Sequence, residues 1–165
     1  SKEIKNKAQN KLPEKSFNEK LNKDVINNLS YKKYDMKGNI YVINSSAGKF
    51  DNAKKDKILL ENVKAYIQLK NGERIKLESK NANYNMVTGD TNFINDVILV
   101  YQEHDLISKN IDFKFNDGYV VAYNQLFYNN NNFLVSADKL EIDLETTNTK
   151  ISMFNKNNKV KILSK

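Results

Sequence analysis

Apolar and polar residues alternate with a period of two along most of the chain from Tyr31 onward. This spacing is typical of β-strands that bury one face and expose the other. After residue 40, no stretch of helical length keeps the apolar spacing of an α-helix. The clearest strand runs are Val63-Ala65-Ile67-Leu69, Val97-Leu99-Tyr101, Ile111-Phe113-Phe115, Leu140-Ile142-Leu144 and Val160-Ile162.

Turn residues separate these runs at short intervals. Asn71-Gly72 and Asp117-Gly118 are strong signals for tight hairpins, because both central positions of such turns take positive φ. Further turn residues cluster at 37–39, 88–90 and 129–132. The pattern therefore predicts an all-β, antiparallel body whose strands are joined by short turns.

The strand pattern also repeats about every thirty residues. Asparagine precedes an apolar residue, directly or after one intervening residue, at Asn62-Val63, Asn95-Asp96-Val97, Asn124-Gln125-Leu126 and Asn158-Lys159-Val160, and we interpret each step as the opening of an outgoing strand. Serines recur in the preceding strands at positions 46, 79, 108 and 136. Because one such unit cannot bury its apolar face alone, four stacked units predict an elongated antiparallel roll with one shared interior and two edge strands.

The first thirty residues differ from this body. They are polar and contain the single proline of the chain, Pro13. Phe17, Leu21, Val25 and Leu29 form a narrow i, i+4 stripe, and Ser16 with Glu19 fits a capping box. Residues 1–30 are interpreted either as a short amphipathic helix or as a solvated linker, and residues 31–165 as the β-roll.

The segment GNIYVINSSAGKF at 38–50 resembles the opening of the β-roll in LptC, an inner-membrane-anchored periplasmic protein of the lipopolysaccharide transport machinery. In that family a Gly turn is followed by a Tyr-x-apolar-x-Ala strand. Segments 82–100 and 134–151 are similar to repeats shared by LptC, LptA and the organic-solvent-tolerance domain. The resemblance covers residues 31–163, and its positions in the first motif are Gly38, Tyr41, Ile43 and Ala47.

The resemblance implies a V-shaped or jelly-roll-like β structure whose apolar interior holds lipopolysaccharide acyl chains. It implies a non-enzymatic role: the protein would accept lipopolysaccharide from an inner-membrane ABC transporter and pass it to an LptA-like bridge that docks on the C-terminal edge strand. It also implies a periplasmic location, with anchoring to the inner membrane through a segment that this chain does not contain. Residues 1–29 would then be a juxtamembrane linker, and an LptA-like soluble role is the alternative.

Strand phase selects the candidate residues for this role. The expected partner edge is formed by Val160, Lys161, Ile162 and Leu163. The expected lining of the interior is Val63, Ile67, Tyr84, Val97, Leu99, Phe113, Val121, Leu126 and Ile142.

Charge opens a second interpretation. The net charge is +7, which suits a surface that binds an anionic polymer such as a polysaccharide or nucleic acid. Only Arg74 among the 27 basic residues is arginine, the side chain that dominates base and phosphate recognition, so nucleic acid is not the expected partner. The seventeen Tyr and Phe rings lie mostly in the apolar phase of the strands and are expected inside. A structural module that polymerises through its edges is a third reading.

The residues for common catalytic and metal chemistry are scarce. The chain has no cysteine and one histidine, His104, which falls in a turn between strands. Glu141 and Asp143 alternate with apolar residues and are expected to face solvent. Gly-rich phosphate loops, serine-nucleophile elbows and zinc spacings do not occur. We expect no enzyme activity, no metal and no cofactor.

Overall fold

A computed structural model of the chain describes residues 24–146, 148–154 and 157–165. These residues form one antiparallel sheet of ten strands in the order β1-β2-β3-β4-β5-β6-β7-β8-β10, with β9 also paired to β8. The two end strands do not pair with each other, so the sheet is open. The predicted all-β antiparallel fold is confirmed.

The strands are long and nearly equal until the last two, which suits a meander of hairpins. Their bounds are β1 Val25–Tyr34, β2 Ile40–Phe50, β3 Lys57–Gln68, β4 Arg74–Asn85, β5 Thr91–Tyr101, β6 His104–Lys114, β7 Tyr119–Asn129, β8 Phe133–Asp143, β9 Thr149–Ser152 and β10 Lys161–Ser164.

Strand β1 begins before the predicted boundary of the β-roll. Residues 25–30, which the sequence pattern assigned to the polar N-terminal segment, already belong to β1. Val25 and Leu29 therefore lie in a strand and do not form the end of a helical stripe. The remaining residues of the predicted helix, including Phe17 and Leu21, lie outside the described residues.

Every long odd-numbered strand has one or two residues with positive φ near its middle, where the strand turns a corner. In β5 and β7 this corner is a β-bulge, because the pairing register shifts there, whereas β1 and β3 keep their register. Asparagine tolerates positive φ better than most residues, and the corner residues are Asn28 in β1, Asn62 in β3, Asn95 with Asp96 in β5, and Asn124 with Gln125 in β7.

In β3 the buried positions are Ile58 and Leu60 before the corner, and Val63 after it. The change of phase at Asn62 keeps the apolar side chains on the interior side while the strand bends. The steps at Asn62, Asn95 and Asn124 thus mark mid-strand corners, and their interpretation as strand openings is wrong. The fourth step, Asn158-Lys159-Val160, does lie directly before a strand, β10.

Side chains at the corner tie neighbouring strands together. Asn62 donates a hydrogen bond to the Ser46 hydroxyl at 3.0 Å. Further along the corner, the Asn95 amide donates to the side-chain oxygen of Asn81 at 3.2 Å, and that of Asn124 to Asn110 at 2.9 Å. The hydroxyls of Ser79 and Ser108 donate to the carbonyls of Asn81 and Asn110, both at 2.8 Å. The recurring Asn and Ser of the sequence therefore build a hydrogen-bonded corner.

The corner divides the sheet into two leaves. We define leaf A by the half-strands 29–34, 40–45, 63–68, 74–79, 97–101, 104–108, 126–129, 133–137 and 161–164. We define leaf B by the half-strands 25–27, 47–50, 57–61, 81–85, 91–94, 110–114, 119–123, 139–143 and 149–152.

The two leaves face each other across one apolar interior. The rings of Tyr41 in leaf A and Phe113 in leaf B have centroids 4.9 Å apart. Their strands, β2 and β6, are four positions apart in the sheet, a separation of about 19 Å along a flat sheet. The contact therefore requires the sheet to fold over on itself. The described residues contain no helix with the length and hydropathy of a membrane span.

Strands β9 and β10 act as two halves of one interrupted strand. Residues 149–152 pair with the leaf B half of β8, and residues 161–164 pair with its leaf A half. The gap between them falls at the corner, where the other odd strands carry residues with positive φ. Val160, just before β10, is half-buried and packs against the core, and Val63, Val97 and Leu126 are buried at the equivalent place after their corners.

Candidate lipid-binding interior and its edges

An unbroken interior row crosses leaf A from one sheet edge to the other. Each member pairs with the next across neighbouring strands, and directly paired residues share a face of the sheet. The row begins on β1 and ends on β10. Its members are Tyr31, Ile43, Ala65, Leu77, Leu99, Leu106, Tyr128, Val135 and Ile162.

A matching row crosses leaf B and places each of its three small residues between two large ones. Its members are Ile26, Gly48, Leu60, Ala82, Phe93, Ile111, Ala122, Leu140 and Ile151. Gly48 is required by close packing, because a Cβ there would lie 2.4 Å from Leu29 Cδ1 and 3.0 Å from Leu60 Cδ2. Small residues opposite large ones allow the two leaves to interdigitate.

The predicted lining residues lie in this interior, with one exception. Ile142 is half-buried and packs against the core. The other seven that lie inside are buried in the apolar core: Val63, Ile67, Tyr84, Val97, Leu99, Phe113 and Leu126. In this structure their side chains pack against one another.

Val121 does not face the interior. It pairs with Asp112 and Glu141 on the outer face of leaf B, while its neighbours Val120 and Ala122 are buried inside. The reason is the length of the corner in β7. Two residues with positive φ, Asn124 and Gln125, precede Leu126, so the even-numbered positions of β7 are inside on both sides of the corner. The assignment of Val121 to the lining is wrong.

Tyr41 joins the two leaves at the end of the roll formed by β1 and β2. Its hydroxyl shares a hydrogen bond of 2.7 Å with the Thr91 hydroxyl of leaf B. Its ring also lies 6.0 Å from Phe115 and 6.4 Å from Tyr84, centroid to centroid. Burial raises the pKa of Tyr41, and burial raises that of Tyr84 to about 12, so both phenols are neutral near pH 7.

The tips of the leaves are held by polar contacts across the opening. The Lys33 ammonium donates to the Val87 carbonyl at 3.0 Å. Lys37, in the turn after β1, forms an ion pair with Glu145, in the turn after β8. Tyr31 donates its hydroxyl hydrogen to the Met86 sulfur at 3.7 Å. These contacts join leaf A to leaf B without any shared backbone ladder.

The predicted partner edge is at one end of the sheet. Lys161, Ile162 and Leu163 lie in β10, which pairs only with β8 among the described strands. Ile162 pairs with the buried Val135 and so faces the interior side, whereas Leu163 pairs with Leu134 on the outer side. Both are largely exposed, at 60% and 63%. Strand β1 forms the opposite edge.

Sequence reasoning missed several residues that shape the interior. Tyr41 was named only as part of the motif of the family resemblance, and Gly48 was not singled out, although Tyr41 makes the main contacts between the leaves. Ser45, not Ser46, faces inward, and its buried hydroxyl is without a hydrogen-bond partner. The signal that could have found Ser45 is its spacing of two from Ile43.

The surroundings of His104 are those of a residue that packs between aromatic rings. Its Nδ1 lies 2.5 Å from the Tyr128 hydroxyl, and its ring stacks between Tyr101 and Tyr128. The described residues contain no cluster of three His, Cys, Asp or Glu side chains that could hold a metal ion. Glu141 lies on the outer face beside Lys139, which lowers the pKa of its carboxyl group.

An open antiparallel sheet, bent at one corner into two facing leaves around an apolar interior, defines a β-jelly-roll of the type expected from the repeats. A solved structure with this fold is LptH from Pseudomonas aeruginosa, described as the LptA homologous periplasmic component of the conserved lipopolysaccharide transport device. The two chains are 9% identical with a TM-score of 0.57, and the match covers 74% of this chain and 93% of that chain. Similarity at this level establishes the fold. Neither the protein-family models nor the curated proteins gave a match to the sequence.

Proposed function

We propose that this chain is a non-enzymatic, periplasmic lipid-transfer module of lipopolysaccharide export. In the specific form of the proposal it acts as an LptC-like acceptor, which receives lipopolysaccharide from an inner-membrane ABC transporter and passes it to an LptA-like bridge. The observation that supports this most strongly is the pair of apolar rows that run without interruption from β1 to the last strands.

Such rows suit a guest that is long and apolar. An acyl chain buried along them gains about 0.8 kcal/mol per methylene group, and the direction of the rows links the two edges of the sheet. The lysines at the tips, Lys33 and Lys37, stand where the phosphates of a lipid head group would emerge. The fold that the chain shares with LptH, a component of a lipopolysaccharide transport device, also supports the proposal.

Entry of an acyl chain requires the leaves to separate, since the interior side chains pack against one another. The tips are the favoured place for this separation, because only a few side-chain contacts join the leaves there and no continuous backbone ladder does. The corner, with its hydrogen-bonded Asn and Ser residues, would serve as the hinge of this opening.

The partner edge in this proposal is β10. A strand of an LptA-like bridge would add to its free edge by backbone hydrogen bonds, as in β-augmentation. Ile162 would then extend the leaf A row into the partner. Proline at 162 and at 163 tests this, because consecutive N–H groups of an edge strand point alternately to the neighbour and to the free edge. At least one of the two variants should fold and fail to assemble with a purified LptA-like protein.

The lipid test uses two neighbouring residues of nearly equal exposure. Ile162→Asp places a charge at the interior row, and Leu163→Asp places the same charge on the outer side. We expect the first to lower lipopolysaccharide retention in gel filtration by about tenfold, and the second to leave it unchanged. Equal effects of both variants, or no retention by the unmodified chain, would contradict the proposal.

Salt titration separates acyl-chain capture from binding of an anionic polymer to the basic surface. Counterion release makes polymer binding fall steeply with added salt. Lipopolysaccharide held by its acyl chains should remain bound through the same titration. A steep loss of lipopolysaccharide would favour the surface-binding alternative.

A further inference from the structure

The outer face of leaf A carries a patch of large apolar side chains that the interior does not account for. Ile98 pairs with Ile107, and Ile107 pairs with Phe127, so three exposed apolar residues stand side by side on β5, β6 and β7. We call the outer apolar patch the set Ile98, Val100, Ile107, Phe127, Leu134 and Leu163.

The patch is continuous across the sheet. Leu134 lies two residues from Ser136, the partner of Phe127, which places it on the diagonal of Phe127. Leu134 in turn pairs directly with Leu163 on β10. Ile107 and Phe127 are each 49% exposed. Contiguous exposed apolar surface of this kind marks an interaction site on a soluble protein.

The same outer face carries an excess of basic side chains. Among its paired positions, five side chains are basic and only Glu78 and Asp105 are acidic. Both acids border the patch, since Glu78 pairs with Ile98 and Asp105 with Val100, and so does Lys76, which pairs with Val100 on the other side. The basic side chains are Lys32, Lys64, Arg74, Lys76 and Lys161.

The outer face of leaf B lacks both properties. Its paired positions carry five basic and four acidic side chains, so its charge is nearly balanced. Its exposed Leu59 is flanked by Lys49 and Asn83 and does not extend into a patch. The combination of apolar patch and excess positive charge is thus confined to one of the two outer faces.

We propose that the outer face of leaf A docks on the surface of a lipid bilayer that contains anionic phospholipids. The apolar patch would enter the head-group region, and the lysines of the same face, together with Arg74, would lie over phospholipid phosphates. Charge complementarity decides between this occupant and a second copy of the chain. Another copy offers the same excess of basic side chains, so face-to-face pairing is opposed by like charge, whereas an anionic bilayer is attracted.

Vesicle flotation tests the docking surface with the full chain. Vesicles of equal parts phosphatidylglycerol and phosphatidylcholine should carry the chain upward, and vesicles of phosphatidylcholine alone should carry much less. The double variant Ile107→Ser with Phe127→Ser should lower binding by at least about tenfold. Leu59→Ser, at 43% exposure on the other face, is the matched control and should bind as the unmodified chain does.

Three single variants separate vesicle docking from lipopolysaccharide binding. Leu163→Asp, at the exposed end of the patch, should weaken flotation but not lipopolysaccharide retention, and Ile162→Asp should do the reverse. Lys76→Glu should lower binding to the anionic vesicles by about fivefold or more. The proposal is overturned if binding does not depend on phosphatidylglycerol, or if the double variant floats normally. Dimers that the double variant disperses, in a chain that binds no vesicles, would identify a second copy as the occupant and overturn it as well.

Discussion

Tyr41 of leaf A and Thr91 of leaf B share a buried hydrogen bond that connects strands on opposite walls of the roll. The bond lies among aromatic rings from both leaves, and its 2.7 Å length joins hydroxyls that are fifty residues apart in sequence. Removing this bond therefore measures directly how much it contributes to holding the leaves together.

Tyr41→Phe should remove this bond and leave the ring contacts in place. We expect the free energy of unfolding to fall by about 1 kcal/mol, with more if the Thr91 hydroxyl finds no other partner. Denaturant unfolding measures the change. Thr91→Val removes the other hydroxyl, and the double variant should cost clearly less than the sum of the two single changes. Strict additivity would mean that the bond does not form.

Alkaline pH should destabilise the roll through its buried phenols. Burial raises the pKa of Tyr41, and it raises that of Tyr84 to about 12, above the value near 10 in an unfolded chain. A raised folded-state pKa gives stability that is complete below about pH 10 and is lost as the pH rises toward the folded-state value.

Thermal unfolding between neutral pH and about pH 12 measures this loss. Tyr84→Phe should flatten the decline, although it also changes the stability at neutral pH. A profile that is flat in the unmodified chain would show that these phenols are not buried as described.

The corner of β3 depends on the left-handed backbone of Asn62, where φ is 50°. Asn62→Val should destabilise the fold by about 1–2 kcal/mol, because a β-branched residue is strained at positive φ and the hydrogen bond to Ser46 is lost. Asn62→Gly loses the same hydrogen bond without the strain and should cost less. Chemical denaturation of both variants tests the corner, and equal costs would argue against a left-handed residue at this position.

Close packing in leaf B makes Gly48 sensitive to added volume. Gly48→Val should cost about 1–3 kcal/mol, because its side chain meets Leu29 and Leu60. Leu29→Ala removes the nearest obstacle, so Gly48→Val should be less harmful in that background than in the unmodified chain. If the double variant is as unstable as the sum of both changes, the leaves do not interdigitate at Gly48.

Much of the fold could be predicted from the period-two alternation, because each half-strand follows it strictly. The strands, their antiparallel order and the interior placement of residues such as Val63 and Leu99 followed from that alternation. The positions of the corners could not be predicted in this way. A corner with one residue of positive φ, as at Asn62, and a corner with two, as at Asn124 and Gln125, shift the phase differently, and the sequence around Asn does not distinguish them.

Contacts between the leaves and the outer apolar patch were not predictable from local pattern. Tyr41 meets Phe113 only because the sheet folds over, which depends on every corner at once. Ile98, Ile107 and Phe127 fall in the polar phase of their strands, and only the register shows that they are direct neighbours. The split of the last strand into β9 and β10 depends likewise on pairing with β8.

Site-specific photo-crosslinking to lipopolysaccharide tests the central claim most directly. Ile142 and Val121 are both half-buried and lie on the neighbouring strands β8 and β7, but Ile142 packs against the interior and Val121 faces outward. A photoreactive residue at 142 should capture lipopolysaccharide, and one at 121 should not. Capture at 121 but not at 142, or capture at neither position, would contradict the account of an interior that carries acyl chains.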